Sequence, residues 1–276
     1  MTVATRLFGS GSRCPAAGRR RRIGDVRSIA ISGFVLLILL SWVGVLSIEA
    51  APAATRTNEA HLVPVFARNS PVAGLWSLAN DFSSAPDKNP APDAFGHPGV
   101  WSFLASNASK HEPSTYSKLG RFTRDQFRIA GLDSWGGNTN PSADPNDYLP
   151  QVSVNVSGTT KDHHGIDWPD HAVLAHPLPD SMAVIGWKSP ITGTVTSAGT
   201  LTLAQQPSCG NGIAWSLDLG SKTLASGIAA GSAPASFQHT IAIRTSDQLY
   251  LTIDAYQHNY YCDSTLIKWT IRSHGT

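Results

Sequence analysis

Ile213-Ala214-Trp215-Ser216-Leu217-Asp218-Leu219 places an apolar side chain at every second position, with small or polar residues between. The same rhythm returns in Phe237, His239, Ile241 and Ile243, again in Leu249, Leu251 and Ile253, and finally in Ile267, Trp269 and Ile271. A period of two, in short runs separated by Gly, Ser, Asp and Pro, marks strands with one face buried. Working backwards, 193–204, 182–188, 172–176 and 99–105 read as further strands. No long amphipathic helix competes, and 114–128 holds one short helix at most. The pattern predicts an all-β fold, an antiparallel two-sheet sandwich or jelly roll of about 8–10 strands. Inward positions place Trp101, Trp187, Trp215 and Trp269 in its core, and Pro190 with Gly193 brackets a turn between two strands.

The domain occupies 71–276, after a segment of different character. Residues 1–28 carry seven Arg against one Asp, a charge of +6; 54–276 carry 14 basic and 17 acidic residues, a charge of −3. The overall +2 therefore comes from the N-terminal segment, and the rest has no field to attract a polyanion, so no nucleic-acid partner is expected. Residues 29–48 form an uncharged apolar run of spanning length, with the arginines on its cytoplasmic flank. Ala51-Pro52-Ala53 follows as a small-residue cleavage pattern. Two readings of 29–53 stay open, a cleaved signal peptide or an apolar helix anchoring the chain in the membrane through 29–48. Both send the rest outward by the general secretory route, with 54–70 as a linker, to an extracellular or cell-surface location. Of three cysteines, Cys14 lies on the cytoplasmic flank and Cys209 and Cys262 on the exported side. They are expected to form a disulfide worth roughly 4 kcal/mol by loop-closure entropy.

Three stretches carry a family resemblance. Asn80-Asp81-Phe82-Ser83 is followed by Asn89-Pro90 and Gly99-Val100-Trp101-Ser102-Phe103; His176-Pro177 precedes Ala183-Val184-Ile185-Gly186-Trp187-Lys188-Ser189-Pro190; and Cys209-Gly210-Asn211-Gly212 is matched by Cys262-Asp263-Ser264-Thr265. Together they resemble the galactose-binding-like β-sandwich accessory modules of secreted bacterial proteins, over about 76–272. The resemblance implies the fold and, by the habit of such modules, carbohydrate binding; it brings no set of binding residues with it. It does not cover 106–170, a Gly-, Asn-, Asp- and Pro-rich region that reads as long loops around one strand at 151–156.

That region holds most of the chemistry-bearing residues. Asp162-His163-His164-Gly165-Ile166-Asp167-Trp168-Pro169-Asp170-His171 offers imidazoles and carboxylates suited to a transition metal, with His163, His164, Asp167 and His171 as the candidate ligands. The spacing matches no established metal motif, and a solvated loop is the competing reading. The oxygen-rich stretch 138–147, with Asn138, Asn140, Asp144, Asn146 and Asp147, is a candidate for a structural Ca²⁺, although it lacks EF-hand order. No other cofactor is expected. No Gly-x-Ser-x-Gly elbow places a nucleophilic serine. Sugar binding needs an aromatic plate with amide or carboxylate neighbours, and the loop aromatics Trp135, Trp168, Tyr256 and Tyr260, with Asn259, fit that need.

The leading expectation is an exported, non-enzymatic module that binds an extracellular glycan. A structural or adhesive module meeting a surface protein is the second. A secreted metal-dependent hydrolase centred on His163, His164, Asp167 and His171 is the third.

Overall fold

The computed structural model describes residues 74–275, apart from 108–110, 143, 145 and 206–208. The basic segment 1–28, the apolar run 29–48 with its cleavage pattern, Cys14 and the linker 54–70 lie outside the described residues. No helix of the described residues is long and apolar enough to cross a membrane.

In chain order the elements are β1 (Leu75–Ser77), α1 (Leu78–Ser84), β2 (Trp101–Ser106), β3 (Tyr116–Lys118), β4 (Arg121–Thr123), β5 (Leu132–Thr139), β6 (Leu149–Asn155), β7 (Lys161–His163), β8 (Ile166–Trp168), β9 (Val173–His176), β10 (Met182–Lys188), β11 (Gly193–Leu203), β12 (Ile213–Leu219), β13 (Lys222–Ala229), β14 (Ala235–Ile243), β15 (Gln248–Ala255) and β16 (Thr265–Ser273). One sheet has eight strands in the order β14-β11-β16-β9-β6-β5-β4, with β1 also paired to β16. The other has six, β13-β12-β15-β10-β2-β3, and β7 and β8 form a separate hairpin. All named pairings are antiparallel. The sandwich is as expected. The strand count exceeds the expected 8–10, because 106–170 contributes β3, β4, β5, β7 and β8 where loops were anticipated, and β1 and β13 were not read as strands either.

Alternation builds the core between the two large sheets. Ile213, Trp215 and Leu217 on β12 and Leu249, Leu251 and Ile253 on β15 point inward beside Trp101, Trp187 and Trp269, all buried. The helix α1 packs into the same core through Leu78 and Phe82, its start capped by Ser77 Oγ, which accepts from the Asn80 amide (3.5 Å). Two indoles meet buried carboxylates: Trp101 Nε1 donates to Asp81 Oδ2 (2.7 Å) and Trp76 Nε1 to Asp93 Oδ2 (2.7 Å). Such pairs satisfy the polar tip of a ring whose body is apolar.

Close packing leaves Gly199 on β11 no room for a side chain. A Cβ there would stand 2.5 Å from Phe237 Cζ and 2.7 Å from the Lys268 carbonyl oxygen. Gly199→Ala is expected to destabilise the domain by roughly 1–3 kcal/mol, as overpacking does. A urea midpoint unchanged from the parent would contradict the register of β11 against β14 and β16.

The chain begins and ends its sandwich at one place. The Gly74 amide donates to Ser273 Oγ (2.6 Å) and the Ser273 amide to the Gly74 carbonyl (2.9 Å), beside the pairing of Leu75 with Arg272. At the other end of β16, Thr265 pairs with Ala175 of β9 and Leu203 of β11.

Candidate functional site

At that Thr265 end, the eight-stranded sheet carries a cleft of about 400 Å³. Each wall follows from topology. The β5–β6 connection supplies Asp144 and Asp147, and the start of β6 supplies Gln151. The end of β9 supplies His176, and the segment after β11 supplies Gln205. Residues 260–264, just before β16, supply Tyr260, Tyr261 and Ser264, and the tip of the β7–β8 hairpin supplies His163 and His164.

The hairpin tip is built tightly. His163 pairs with Ile166, leaving His164 and Gly165 as a two-residue turn at φ +52° and +78°. Two positive φ values in such a turn are the type I′ signature, where Asn or Gly is the usual occupant. A histidine tolerates the left-handed region only at some cost. Below the tip, Ile166 and Trp168 pack with Leu132 and Leu174 against the outer face of the eight-stranded sheet. Phe127 stacks on the His163 ring with centroids 4.0 Å apart and planes at 13°. The turn carrying Phe127 is held in turn by Gln126, whose side chain bonds Gln151 and accepts from Ser153 Oγ (3.1 Å).

Facing the tip, the 141–147 connection braces itself. Asn140 Oδ1 accepts from the Ser142 amide (3.1 Å), and Ser142 Oγ donates to Asp147 Oδ2 (2.6 Å). Asp144 Oδ2 then lies 2.9 Å from His164 Nε2 and 3.5 Å from His163 Nε2. Burial, followed by the neighbouring His164, pulls the His163 pKa below its ordinary value. Burial also lowers the His176 pKa; its Nδ1–H donates to the Pro177 carbonyl (2.8 Å), which leaves Nε2 as an acceptor. On the opposite wall the Tyr260 and Tyr261 rings stand 4.8 Å apart at 31°, and Tyr261 is 66% exposed. The Cys209–Cys262 disulfide ties this loop to the segment after β11. The site thus offers exposed aromatic surface beside a carboxylate, amides and imidazoles.

Of the residues expected from sequence, His163, His164 and Tyr260 meet in this cleft. Trp168 reaches it only from below, because it is 1% exposed and belongs to the packing under the hairpin. Trp135 stands apart, half-buried against Phe122 (5.2 Å), with its Nε1–H donated to the Pro86 carbonyl (2.9 Å). Tyr256 lines a different hollow, with His111, on the outer face of the six-stranded sheet. Asn259 accepts from the Tyr261 amide (3.2 Å) and shapes the turn below the tyrosines. The open aromatic plate expected of Trp135, Trp168 and Tyr260 is therefore not formed; Tyr260 and Tyr261 stand in its place.

The four expected metal ligands do not all meet either. Asp167 pairs with Asp162 across β7–β8, on the face opposite Ile166 and Trp168, and points to solvent. His171 sits at φ +58° and lies 3.5 Å from Asp170, away from the other imidazoles. Asp144 takes their place beside His163 and His164. Its signal was in the sequence, in the oxygen-rich stretch read for calcium. Asn155 on β6 is fully buried, and its Nδ2 donates to the carbonyls of Thr159 and Trp168.

A second polar cluster escaped the sequence altogether. On the outer face of the six-stranded sheet, His111 Nδ1 lies 2.5 Å from Ser216 Oγ and 2.9 Å from Asp218 Oδ2. A Ser-His-Asp relay needs hydroxyl and carboxylate on opposite ring nitrogens. Here both meet the same one and Ser216 is fully buried, so the cluster is not arranged for nucleophilic catalysis.

No protein family and no curated protein matches the chain. Among solved structures, it is similar to the CBM51 from Clostridium perfringens GH95 in complex with methyl-galactose, at 11% identity over 55% of this chain and 100% of that one, TM-score 0.32. It is also similar to the CBM51-2 and INT domains from Clostridium perfringens ZmpB in complex with GlcNAc, at 10% identity over 39% of this chain, TM-score 0.30. The match spans only 22% of that longer chain. A third is the CBM36-1 domain of a multidomain xylanase from the hindgut metagenome of Trinervitermes trinervoides, at 13% identity over 45% of this chain and 97% of that one, TM-score 0.27. These neighbours are carbohydrate-binding β-sandwich modules at low identity. Similarity of this size assigns no residue and no ligand, and the sandwich described above rests on its own strand pairing.

Proposed function

We propose that this protein is an exported carbohydrate-binding module, and that the glycan seats in the cleft at the Thr265 end of the eight-stranded sheet. The observation that supports it most is the pairing of the exposed Tyr261 ring and the half-buried Tyr260 ring with polar groups across about 400 Å³, a volume suited to one or two sugar rings. Tyr260 and Tyr261 offer faces to the apolar side of a pyranose. Asp147 accepts from hydroxyls, Gln205 both donates and accepts, and His176 Nε2 accepts. The apolar run at 29–48 and the Cys209–Cys262 bridge support export to an oxidising compartment.

Glycan-array screening followed by calorimetry tests the reading. Tyr260→Ala and Tyr261→Ala are expected to weaken the best glycan roughly 10- to 30-fold each, as loss of a central aromatic contact does. Trp135→Phe, outside the cleft, should leave affinity unchanged. Retention of full affinity in both tyrosine variants would move the site elsewhere, and absence of binding to any glycan would defeat the function.

A further inference from the structure

The geometry points to a divalent transition-metal site on the rim of this cleft, formed by the Asp144 carboxylate and the imidazole nitrogens of His163 and His164. The three donor atoms lie within 4.8 Å of one another, on two segments that meet only through the fold. Asp144 Oδ2 stands 2.9 and 3.5 Å from the two Nε2 atoms. Bonds of about 2.0–2.2 Å to a tetrahedral metal put neighbouring donors roughly 3.3–3.5 Å apart. Two edges of the triangle are thus close to the required length, and the third is no longer than 4.8 Å.

Local construction favours the same conclusion. The left-handed His164 in a turn that prefers Asn or Gly brings both rings to one side, centroids 4.1 Å apart, and Phe127 fixes the His163 plane. Two nitrogens and one carboxylate suit zinc, cobalt, nickel or copper; calcium wants six or more oxygens. Three protein donors leave a coordination position open, and His164 and Asp144, with side chains 66% and 39% exposed, leave it facing the cleft. An oxygen donor from a bound ligand or water completes the set. Asp147, held by Ser142, lines the same cleft and adds negative charge near the ion.

The site does not depend on the carbohydrate reading, since metal alone is the probe. Untagged full-length protein, stripped with a chelator and dialysed, is titrated with Co²⁺, Zn²⁺ and Ca²⁺. One equivalent of Co²⁺ is expected to bind with a visible spectrum of tetrahedral or five-coordinate type and to be displaced by Zn²⁺. His164→Ala, an exposed position that does not endanger folding, should weaken Co²⁺ at least 100-fold, as should Asp144→Ala. Asp167→Ala and His171→Ala should match the parent. Unsaturable Co²⁺ binding, parental affinity in His164→Ala, or a site filled by Ca²⁺ in preference to Co²⁺ would each overturn the assignment.

Discussion

Asp263→Asn is expected to make the protein more stable at neutral and mildly alkaline pH, and to remove most of the loss of stability on going from about pH 5 to about pH 8. Asp263 follows Cys262 directly, is fully buried, and neither carboxylate oxygen has a hydrogen-bond partner among the described residues. Thr265 Oγ1 donates to the Asp263 backbone carbonyl (2.9 Å), and the carboxyl is enclosed. Burial, with a smaller contribution from the charge of Asp254, pushes its pKa up from 3.8 to about 8. The folded chain therefore keeps a proton that the unfolded chain gives up. Stability is fully present below the unfolded pKa and drains away as pH rises through the folded one. At about 1.4 kcal/mol per unit, the loss between about pH 5 and pH 8 is on the order of 4 kcal/mol. Asparagine, neutral throughout, carries no such slope. Urea unfolding of both proteins at three pH values reads it directly, and parallel pH profiles would show that the carboxyl is not held neutral.

Trp101→Ala is expected to cost about 5 kcal/mol or more, close to the whole stability of a domain of this size. Its ring is fully buried, edge-on to Trp269 at 5.3 Å, and its indole N–H donates to Asp81. Truncation opens a large cavity, worth roughly 3–5 kcal/mol. It also takes a hydrogen bond from a buried carboxylate whose pKa burial already raises, adding about 1–3 kcal/mol. Trp101→Phe keeps most of the packing and loses the donor, so an intermediate cost of roughly 2–3 kcal/mol is expected. Denaturant titration ranks the three proteins; a Trp101→Ala midpoint near the parent would show that the two sheets do not close on this ring.

The reading of period two served the sandwich well wherever strands were long and one-sided. The bounds of β10 at Met182–Lys188 coincide with the expected run, and the four core tryptophans lie where alternation put them. It failed in 106–170 for a physical reason. Strands β3, β4, β7 and β8 have three residues each, too few to display a period, and they exist because neighbouring strands pair with them. Outer faces are also covered: Tyr250 and Thr252, solvent-facing by alternation, are buried beneath Tyr116 and beside Ser216. In the site, closeness along the chain misled. Asp167 and His171 are nearer to His163 in sequence than Asp144 is, yet β8 alternation turns the first outward and a left-handed backbone turns the second away. Asp144 arrives from the β5–β6 connection, beside a hairpin that Ile166 and Trp168 seat on the eight-stranded sheet.

The bond between Gly74 and Ser273 has a bearing on how the cleft is displayed. Both termini of the sandwich leave from one pole, and β16 separates that pole from Thr265 by nine residues, roughly 27 Å of extended strand. A tether fused at either terminus therefore holds the domain like a lamp on a stalk, with the tyrosines and the histidine hairpin at the far tip, unshadowed by their own support.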